Sequence, residues 1–238
     1  MSLMKRRVCA YRHLDAGCSR CGGSGLVEGT HLTTQDGPWP LGALEQGARL
    51  PVFPGGERVL EAIAHERIWL DPIDCPSVVK PIEVPEGALG NARAVLLQAD
   101  TRILFHDEAM IETLGNAWLT LRAGDLEGFR GIGQVEPPRQ ARLYRLQFED
   151  VEFVTVEDAF QVLVVPSFIT LDKAVGWSGL RRWFGSQEVA HLGAEQVDAY
   201  LAVLENDLGG VGAAWPRERT MFRPGPWSGG EMRRETLV

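Results

Sequence analysis

Two cysteines separated by two residues form the local pattern in this sequence that has the most direct chemical interpretation. Cys18 and Cys21 are followed by a glycine-rich turn, and two thiolates at this spacing can chelate one tetrahedral zinc ion. No second pair with this spacing is present, so Cys9 and His13 are the predicted remaining ligands, with His31 as the alternative partner of Cys9. The competing interpretation is a glycine turn that carries reduced cysteines and no metal.

A second candidate site combines one imidazole with two carboxylates. His106 ends a predicted strand, and Glu108 and Glu112 lie four residues apart on the helix that should follow, so the three side chains can share a metal ion or an acid–base role. The alternative is structural: Asp107 caps the helix, Glu108 interacts with the helix dipole, and Glu112 faces solvent.

Five carboxylates close together in the sequence form an acidic cluster, namely Glu149, Asp150, Glu152, Glu157 and Asp158. Neighbouring residues of a strand point to opposite faces, which disfavours a metal site here and favours a solvated acidic surface. The chain has 24 basic and 32 acidic residues and a net charge of -8. Such a charge attracts basic proteins and repels nucleic acid, so the cluster is the predicted surface for a basic protein partner.

Composition places the chain among ordinary globular proteins. Its 238 residues are 45% hydrophobic and 24% charged, which excludes disordered, collagenous and coiled-coil proteins. No apolar run approaches the roughly 18 to 20 residues of a membrane helix, and the basic start of the chain has no apolar segment behind it. We therefore expect a bacterial cytoplasmic protein without disulfides and without a membrane partner.

Turn residues and hydrophobic periodicity predict an α+β fold, with a mixed or antiparallel sheet and helices on one side. We expect a loop-rich, cysteine-containing segment at 1–56, an α+β domain that ends in a helix at 57–210, and an extended or disordered tail at 211–238. Helices are predicted at 57–67, from Asp107 to Leu114, and at 194–208. Strands are predicted at 101–105, 142–148, 151–156 and 160–165, and the second and third of these are expected to pair.

The middle of the chain resembles a known family. Residues 95–98, the strand at 103–105, the helix that begins at Asp107, and residues 126–131 follow the order found in the myxobacterial double-CXXCG paralogues. That family is related to immunity proteins, which protect a cell against a toxin delivered by its neighbours. Residues 18–22 correspond to the first CXXCG motif, and the second motif is absent. The resemblance implies a strand–helix unit and an immunity-type role.

Three functions follow from these patterns. The leading interpretation is a non-enzymatic, soluble, immunity-type inhibitor that binds a basic protein, because the sequence has no convincing nucleophile or metal-hydrolase motif. The first alternative is a metal-assisted enzyme that uses His106 and the nearby carboxylates. The second is a zinc-knuckle adaptor for nucleic acid, which would need Arg6, Arg7, Arg12 and Arg20 to form one basic face.

Overall fold

The computed structural model describes residues 24–53, 55–67, 69, 79–115, 117–165, 189–192 and 194–207. Most of these residues lie in or between short β-strands. The strands are, in chain order, β1 (Leu26–Val27), β2 (His31–Thr34), β3 (Gly37–Pro40), β4 (Arg49–Phe53), β5 (Glu57–Val59), β6 (Ala62–Glu66), β7 (Ile82–Val84), β8 (Val95–Leu97), β9 (Arg102–His106), β10 (Trp118–Arg122), β11 (Gly133–Gln134), β12 (Leu143–Gln147), β13 (Glu152–Val156), β14 (Phe160–Val164) and β15 (Ala190–His191). The α-helices among the described residues are α1 (Met110–Leu114) and α2 (Ala194–Asp207).

The strands form two sheets. One has six strands in the order β11-β7-β8-β1-β12-β6, and the other has nine, of which seven follow the order β15-β10-β9-β14-β13-β2-β3. In the nine-stranded sheet β4 also pairs with β13, and β5 pairs with β4. Between described strands, every pairing is antiparallel except that of β10 with β15, which is parallel.

Alternation along the strands of the nine-stranded sheet supplies two separate apolar layers. In β9, Ile103 and Phe105 are buried in the main core, whereas Leu104 between them belongs to a smaller cluster with Phe153 and Leu163. Successive side chains of a strand point to opposite faces, so one apolar run fills both layers. The mainly apolar sequence of β14 is explained in the same way, because all five of its residues, including Gln161, are buried.

The predicted α+β fold is wrong, since the described residues form mainly two antiparallel sheets with two α-helices. The predicted helix at 57–67 is replaced by β5 and β6, which pair with β4 and β12. Val59 and Leu60 suggested a helical stripe, yet Leu60 is fully buried and Val59 is 38% exposed. Apolar residues at this spacing fit either structure, and the available partner strands decided between them.

A second error concerns strand pairing. The predicted strands at 142–148 and 151–156 are present as β12 and β13, but β12 pairs with β6 and β1, and β13 pairs with β14, β2 and β4. These two consecutive strands therefore lie in different sheets. The connection of residues 148–151 carries the chain from one sheet to the other, which sequence order alone does not reveal.

Helix α2 follows the sequence prediction closely and is part of the main core. Val197, Tyr200 and Leu204 are buried there, and the ring of Tyr200 meets the ring of Phe105 edge to face at 6.5 Å. The helix thus contacts β9 of the nine-stranded sheet through Tyr200. No helix among the described residues is long and apolar enough to cross a membrane.

Strands from both sides of residue 56 share each sheet. β1 pairs with β8 and β12 in the six-stranded sheet, and β4 pairs with β13 in the nine-stranded sheet. The residues of the predicted segment 1–56 that the structure describes are therefore integrated with those of 57–210. Residues 1–23 and the predicted tail at 211–238 lie outside the described residues.

Candidate functional site

A buried polar site lies at the start of β1, where Gly25 meets the turn between β8 and β9. The Thr101 hydroxyl accepts the Gly25 N–H at 3.0 Å and donates to the Gly25 carbonyl oxygen at 3.0 Å. The Gln98 N–H donates to the same carbonyl oxygen, also at 3.0 Å. Thr101 is 1% exposed and Gln98 is 5% exposed, so water does not compete for these bonds.

Glycine at position 25 is required by the packing above it. A Cβ atom there would lie 2.8 Å from Leu143 Cδ1 and 2.9 Å from Gln98 Oε1. Both distances are shorter than normal van der Waals contact, so a larger residue would force Leu143 or Gln98 to move. Gln98 Oε1 is itself buried and has no hydrogen-bond partner, which is energetically unfavourable.

The backbone around Thr101 is fixed from the other side by the short 3-10 helix Ala123–Leu126. The Ala123 N–H donates to the Thr101 carbonyl oxygen at 2.8 Å, and the Gly124 N–H donates to the Ala99 carbonyl oxygen at 2.9 Å. Nearby, burial raises the pKa of Asp100, while Arg122 and Arg102 act in the opposite direction. The turn between β8 and β9 is thus held in place on both of its sides.

Acyl transfer needs hydrogen-bond donors that stabilise an oxyanion and a base that activates the nucleophile. Among the described residues this site has the donors, and Thr101 has no hydrogen bond to such a base. Two donors on one carbonyl oxygen are what stabilises an oxyanion, and Gly25 has them. A hydroxyl nucleophile also needs a base in hydrogen-bond reach. Among the residues that the structure describes, Thr101 makes its side-chain hydrogen bonds only with Gly25, and Ser24, the serine in that part of the chain, makes no side-chain hydrogen bond.

A second polar cluster lies beyond the turn that follows β1, and we call it the His31 cluster (His31, Arg93 and Glu157). Glu157 Oε1 accepts the His31 N–H at 2.9 Å and lies 3.1 Å from His31 Nδ1. Arg93 Nε is 3.4 Å from Glu157 Oε2, and one of its terminal nitrogens is 3.3 Å from His31 Nε2. The Glu157 side chain is 2% exposed, so its charge is balanced within the protein.

The five carboxylates predicted to bind a partner are divided by the structure. Glu149 and Asp158 are exposed and Asp150 is partly exposed, whereas Glu152 and Glu157 are buried. Glu152 pairs with Arg58 at 2.9 Å, and burial raises its pKa against the lowering effect of Arg58. β13 separates residues 149–150 from residue 158, so the exposed members lie at opposite ends of a strand.

The three residues of the alternative enzyme site occupy the end of β9 and the segment that includes α1. The His106 ring packs against Trp118 with ring centres 4.3 Å apart, and Glu108 and Glu112 are exposed. Asp107 accepts the Ala109 N–H at 3.0 Å, as expected for a residue that starts a helical turn. No hydrogen bond or ion pair joins His106, Glu108 and Glu112 within the described region, and their catalytic role stays a prediction.

The predicted zinc ligands Cys9, His13, Cys18 and Cys21 lie outside the described residues, and their metal binding remains an untested prediction. Within the residues that the structure does describe, no group of three His, Cys, Asp or Glu side chains can hold a metal ion. The described fold therefore gives no support to the classification of this chain as a zinc protein.

Two mainly antiparallel sheets and a buried polar site at the first strand define a β-rich domain. A comparison with protein families matches residues 24–161 to the Hint domain. The match covers more than half of the 238 residues, so this chain belongs to the Hint domain family.

One solved structure that resembles this chain is the solution structure of a bacterial intein-like domain from Clostridium thermocellum. The two are 15% identical, with a TM-score of 0.39, and the match covers 59% of this chain and 97% of that one. No curated protein has a significant match to the sequence.

The family match corrects the sequence interpretation. The resemblance to the myxobacterial double-CXXCG paralogues is wrong, and the immunity-type role that depended on it has no support. The matched positions in that resemblance were mainly apolar residues and glycines, which recur at strand ends and turns of unrelated β-rich proteins.

Sequence reasoning also missed the residues of the buried polar site. Thr101 was assigned only to the start of a predicted strand, Gln98 only to a stretch of the family resemblance, and Gly25 only to the glycine-rich turn after Cys21. Gly25 and Thr101 are 76 positions apart in the chain, and no local spacing connects them.

Proposed function

We propose that this chain is a non-catalytic Hint domain, a binding and structural domain whose buried polar site holds the sheets in register instead of transferring an acyl group. The observation that carries this proposal is the pairing of the Thr101 hydroxyl with both backbone polar groups of Gly25. The Thr101 hydroxyl donates its proton to the Gly25 carbonyl oxygen, which is too weak a base to activate a nucleophile.

The experiment is a search for bond cleavage or acyl rearrangement in the purified full-length chain. The protein is incubated for a day at neutral and mildly alkaline pH, alone, with dithiothreitol and with hydroxylamine, and its intact mass is measured. Hydroxylamine cleaves esters and thioesters, so any backbone ester at this site would appear as two fragments. We expect one unchanged mass under all three conditions.

A Thr101→Val variant is the matched control for this experiment. Valine has nearly the shape of threonine and lacks the hydroxyl, so it removes the chemistry and keeps the packing. Fragments that appear in the wild-type chain and are absent from Thr101→Val would overturn the proposal, particularly if the cleaved bond adjoins Gly25. Identical masses in the two proteins support it.

We also propose that the binding partner is basic, because the net charge of -8 steers cationic molecules toward the surface. Glu149 is exposed and its neighbour Asp150 is partly exposed, whereas in the other adjacent pair of the predicted acidic cluster Glu157 is buried. Binding of a hepta-arginine peptide measured by calorimetry tests this surface in the double variant Glu149→Gln/Asp150→Asn.

The matched control for this binding experiment is Glu108→Gln/Glu112→Gln, which changes the net charge equally at two exposed positions elsewhere. We expect weaker binding in the first variant than in the second, and a smaller salt dependence. Equal weakening in the two variants would assign binding to net charge and refute a local surface at residues 149–150.

A further inference from the structure

The His31 cluster connects the two sheets and has no part in the proposed function. His31 begins β2, and Glu157 lies in the turn between β13 and β14, so both belong to the nine-stranded sheet. Arg93 lies two residues before β8, which belongs to the six-stranded sheet. The contacts of Arg93 with the other two side chains therefore bridge the sheets.

The hydrogen bonds determine which imidazole nitrogen carries the proton. An ionised carboxylate only accepts, so His31 Nδ1 donates to Glu157 Oε1 across 3.1 Å. A guanidinium only donates, so His31 Nε2 accepts from Arg93 across 3.3 Å. A neutral imidazole protonated at Nδ1 satisfies both neighbours, whereas an imidazolium ion would direct a second N–H at the guanidinium.

The two partners differ in their freedom to move away from His31. The Glu157 side chain is 2% exposed and also accepts the His31 backbone N–H, so its position is fixed. The Arg93 side chain is 55% exposed, and its backbone carbonyl oxygen is anchored separately by the Asn91 side chain at 2.7 Å. The Arg93 guanidinium can therefore move into solvent while the Arg93 backbone and the Glu157 side chain keep their positions.

We propose that the His31 cluster is a pH-sensitive clasp between the two sheets, in which protonation of His31 expels the Arg93 side chain. The imidazolium ion then stays paired with Glu157, and the bridge to the six-stranded sheet opens. A neighbouring charged side chain is Asp158, which accepts the Thr33 hydroxyl at 2.5 Å. That carboxylate follows Glu157 in the same turn and does not contact Arg93 or His31 through any hydrogen bond in the described residues.

The experiment follows the side chains by NMR as the pH is lowered. Long-range proton–nitrogen spectra report the tautomer and protonation of His31, and the Arg93 Nε–H resonance reports its contact with the cluster. We expect the Nδ1–H tautomer at high pH and a shift of the Arg93 resonance with the same midpoint as His31. In Arg93→Gln, His31 should take up its proton at a higher pH than in wild type, because a neighbouring cation has been removed.

Three controls separate this device from a purely structural role. His65, whose ring stacks on Tyr144 at 5.5 Å, should titrate identically in wild type and Arg93→Gln. Arg93→Lys keeps the charge and should keep the His31 midpoint close to that of wild type. His31→Gln should make the Arg93 resonance insensitive to pH.

An Nε2–H tautomer at high pH would overturn the proposal. So would an unchanged His31 midpoint in Arg93→Gln, or an Arg93 resonance that does not respond to pH in the wild-type protein. Backbone amide spectra recorded on the same samples show that each variant is folded.

Discussion

Replacement of Thr101 by valine tests the buried polar site most directly. The substitution keeps the shape of the side chain and removes the hydroxyl, which makes two hydrogen bonds with Gly25. The Gly25 N–H is left buried without an acceptor, whereas the Gly25 carbonyl oxygen keeps the Gln98 N–H as a donor. The loss is therefore one unpaired buried donor and one redundant hydrogen bond.

The expected magnitude follows from these two terms. An unpaired buried N–H costs about 1 to 3 kcal/mol, and loss of a hydrogen bond to an otherwise paired oxygen costs about 1 kcal/mol. The valine methyl group recovers part of this through burial, so we expect Thr101→Val to lose about 2 to 3 kcal/mol of unfolding free energy. With a urea slope of about 2 to 3 kcal/mol/M, the unfolding midpoint falls by about 1 M.

Thr30→Val is the matched control. Thr30 is also buried, at 2% exposure, and its hydroxyl donates to the Val27 carbonyl oxygen at 2.8 Å. That oxygen also accepts the Thr30 N–H at 3.2 Å, and the substitution leaves no donor unpaired. We expect a loss of at most about 1 kcal/mol in urea unfolding. If Thr101→Val cost no more than Thr30→Val, the Gly25 N–H would not depend on Thr101, and the reasoning about this site would fail.

Three further substitutions test packing and electrostatics by the same unfolding measurement. Gly25→Ala should lose about 1 to 3 kcal/mol of unfolding free energy because the added Cβ meets two side chains. Gly133→Ala, where no atom lies within 4 Å of the added Cβ, should lose much less. Similar losses in the two variants would contradict the packing described at Gly25. Leu204→Ala in α2 should lose about 2 to 5 kcal/mol of unfolding free energy, because Leu204 is fully buried. Val203→Ala should lose less than about 0.5 kcal/mol, because Val203 is 41% exposed. Equal losses would show that α2 does not pack as described. Because burial raises the pKa of Glu152, the folded state binds this proton more tightly than the unfolded state, and the stability it contributes is present at low pH and lost as the pH rises through the raised pKa. Wild type should therefore lose more stability than Glu152→Gln between about pH 4 and pH 8, and parallel pH profiles would contradict the raised pKa.

Individual elements were predictable wherever local pattern and tertiary environment agreed. The stripe of Val197, Tyr200 and Leu204 predicted α2, because a helix satisfies its own backbone and needs only one apolar face. The apolar residues Val162–Val164 likewise identified β14 as a buried strand. Residues 57–67 were misassigned because Leu60 and Val59 fit a helical stripe equally well, and strand partners elsewhere in the chain decided the outcome.

The burial of two carboxylates of the acidic cluster was not predictable from their spacing in the sequence. Glu152 and Glu157 looked like members of an exposed acidic surface, since five carboxylates within ten positions usually indicate a solvated face. Their burial depends on Arg58, His31 and Arg93, which come from distant parts of the chain. A single sequence carries no record of those pairings.

The sequence by itself determined the composition, the net charge and the apolar periods of the separate strands and of α2, because these depend on residues that are neighbours in the chain. Tertiary structure decided which strands pair, which carboxylates are buried, and that Gly25 lies against Thr101 and Gln98. The physical reason is that an antiparallel ladder accepts any strand of suitable pattern, so the partner is selected by the packing of both sheets together. In this protein the backbone polar groups of Gly25 find their hydrogen-bond partners, Thr101 and the Gln98 N–H, only through that pairing of distant strands.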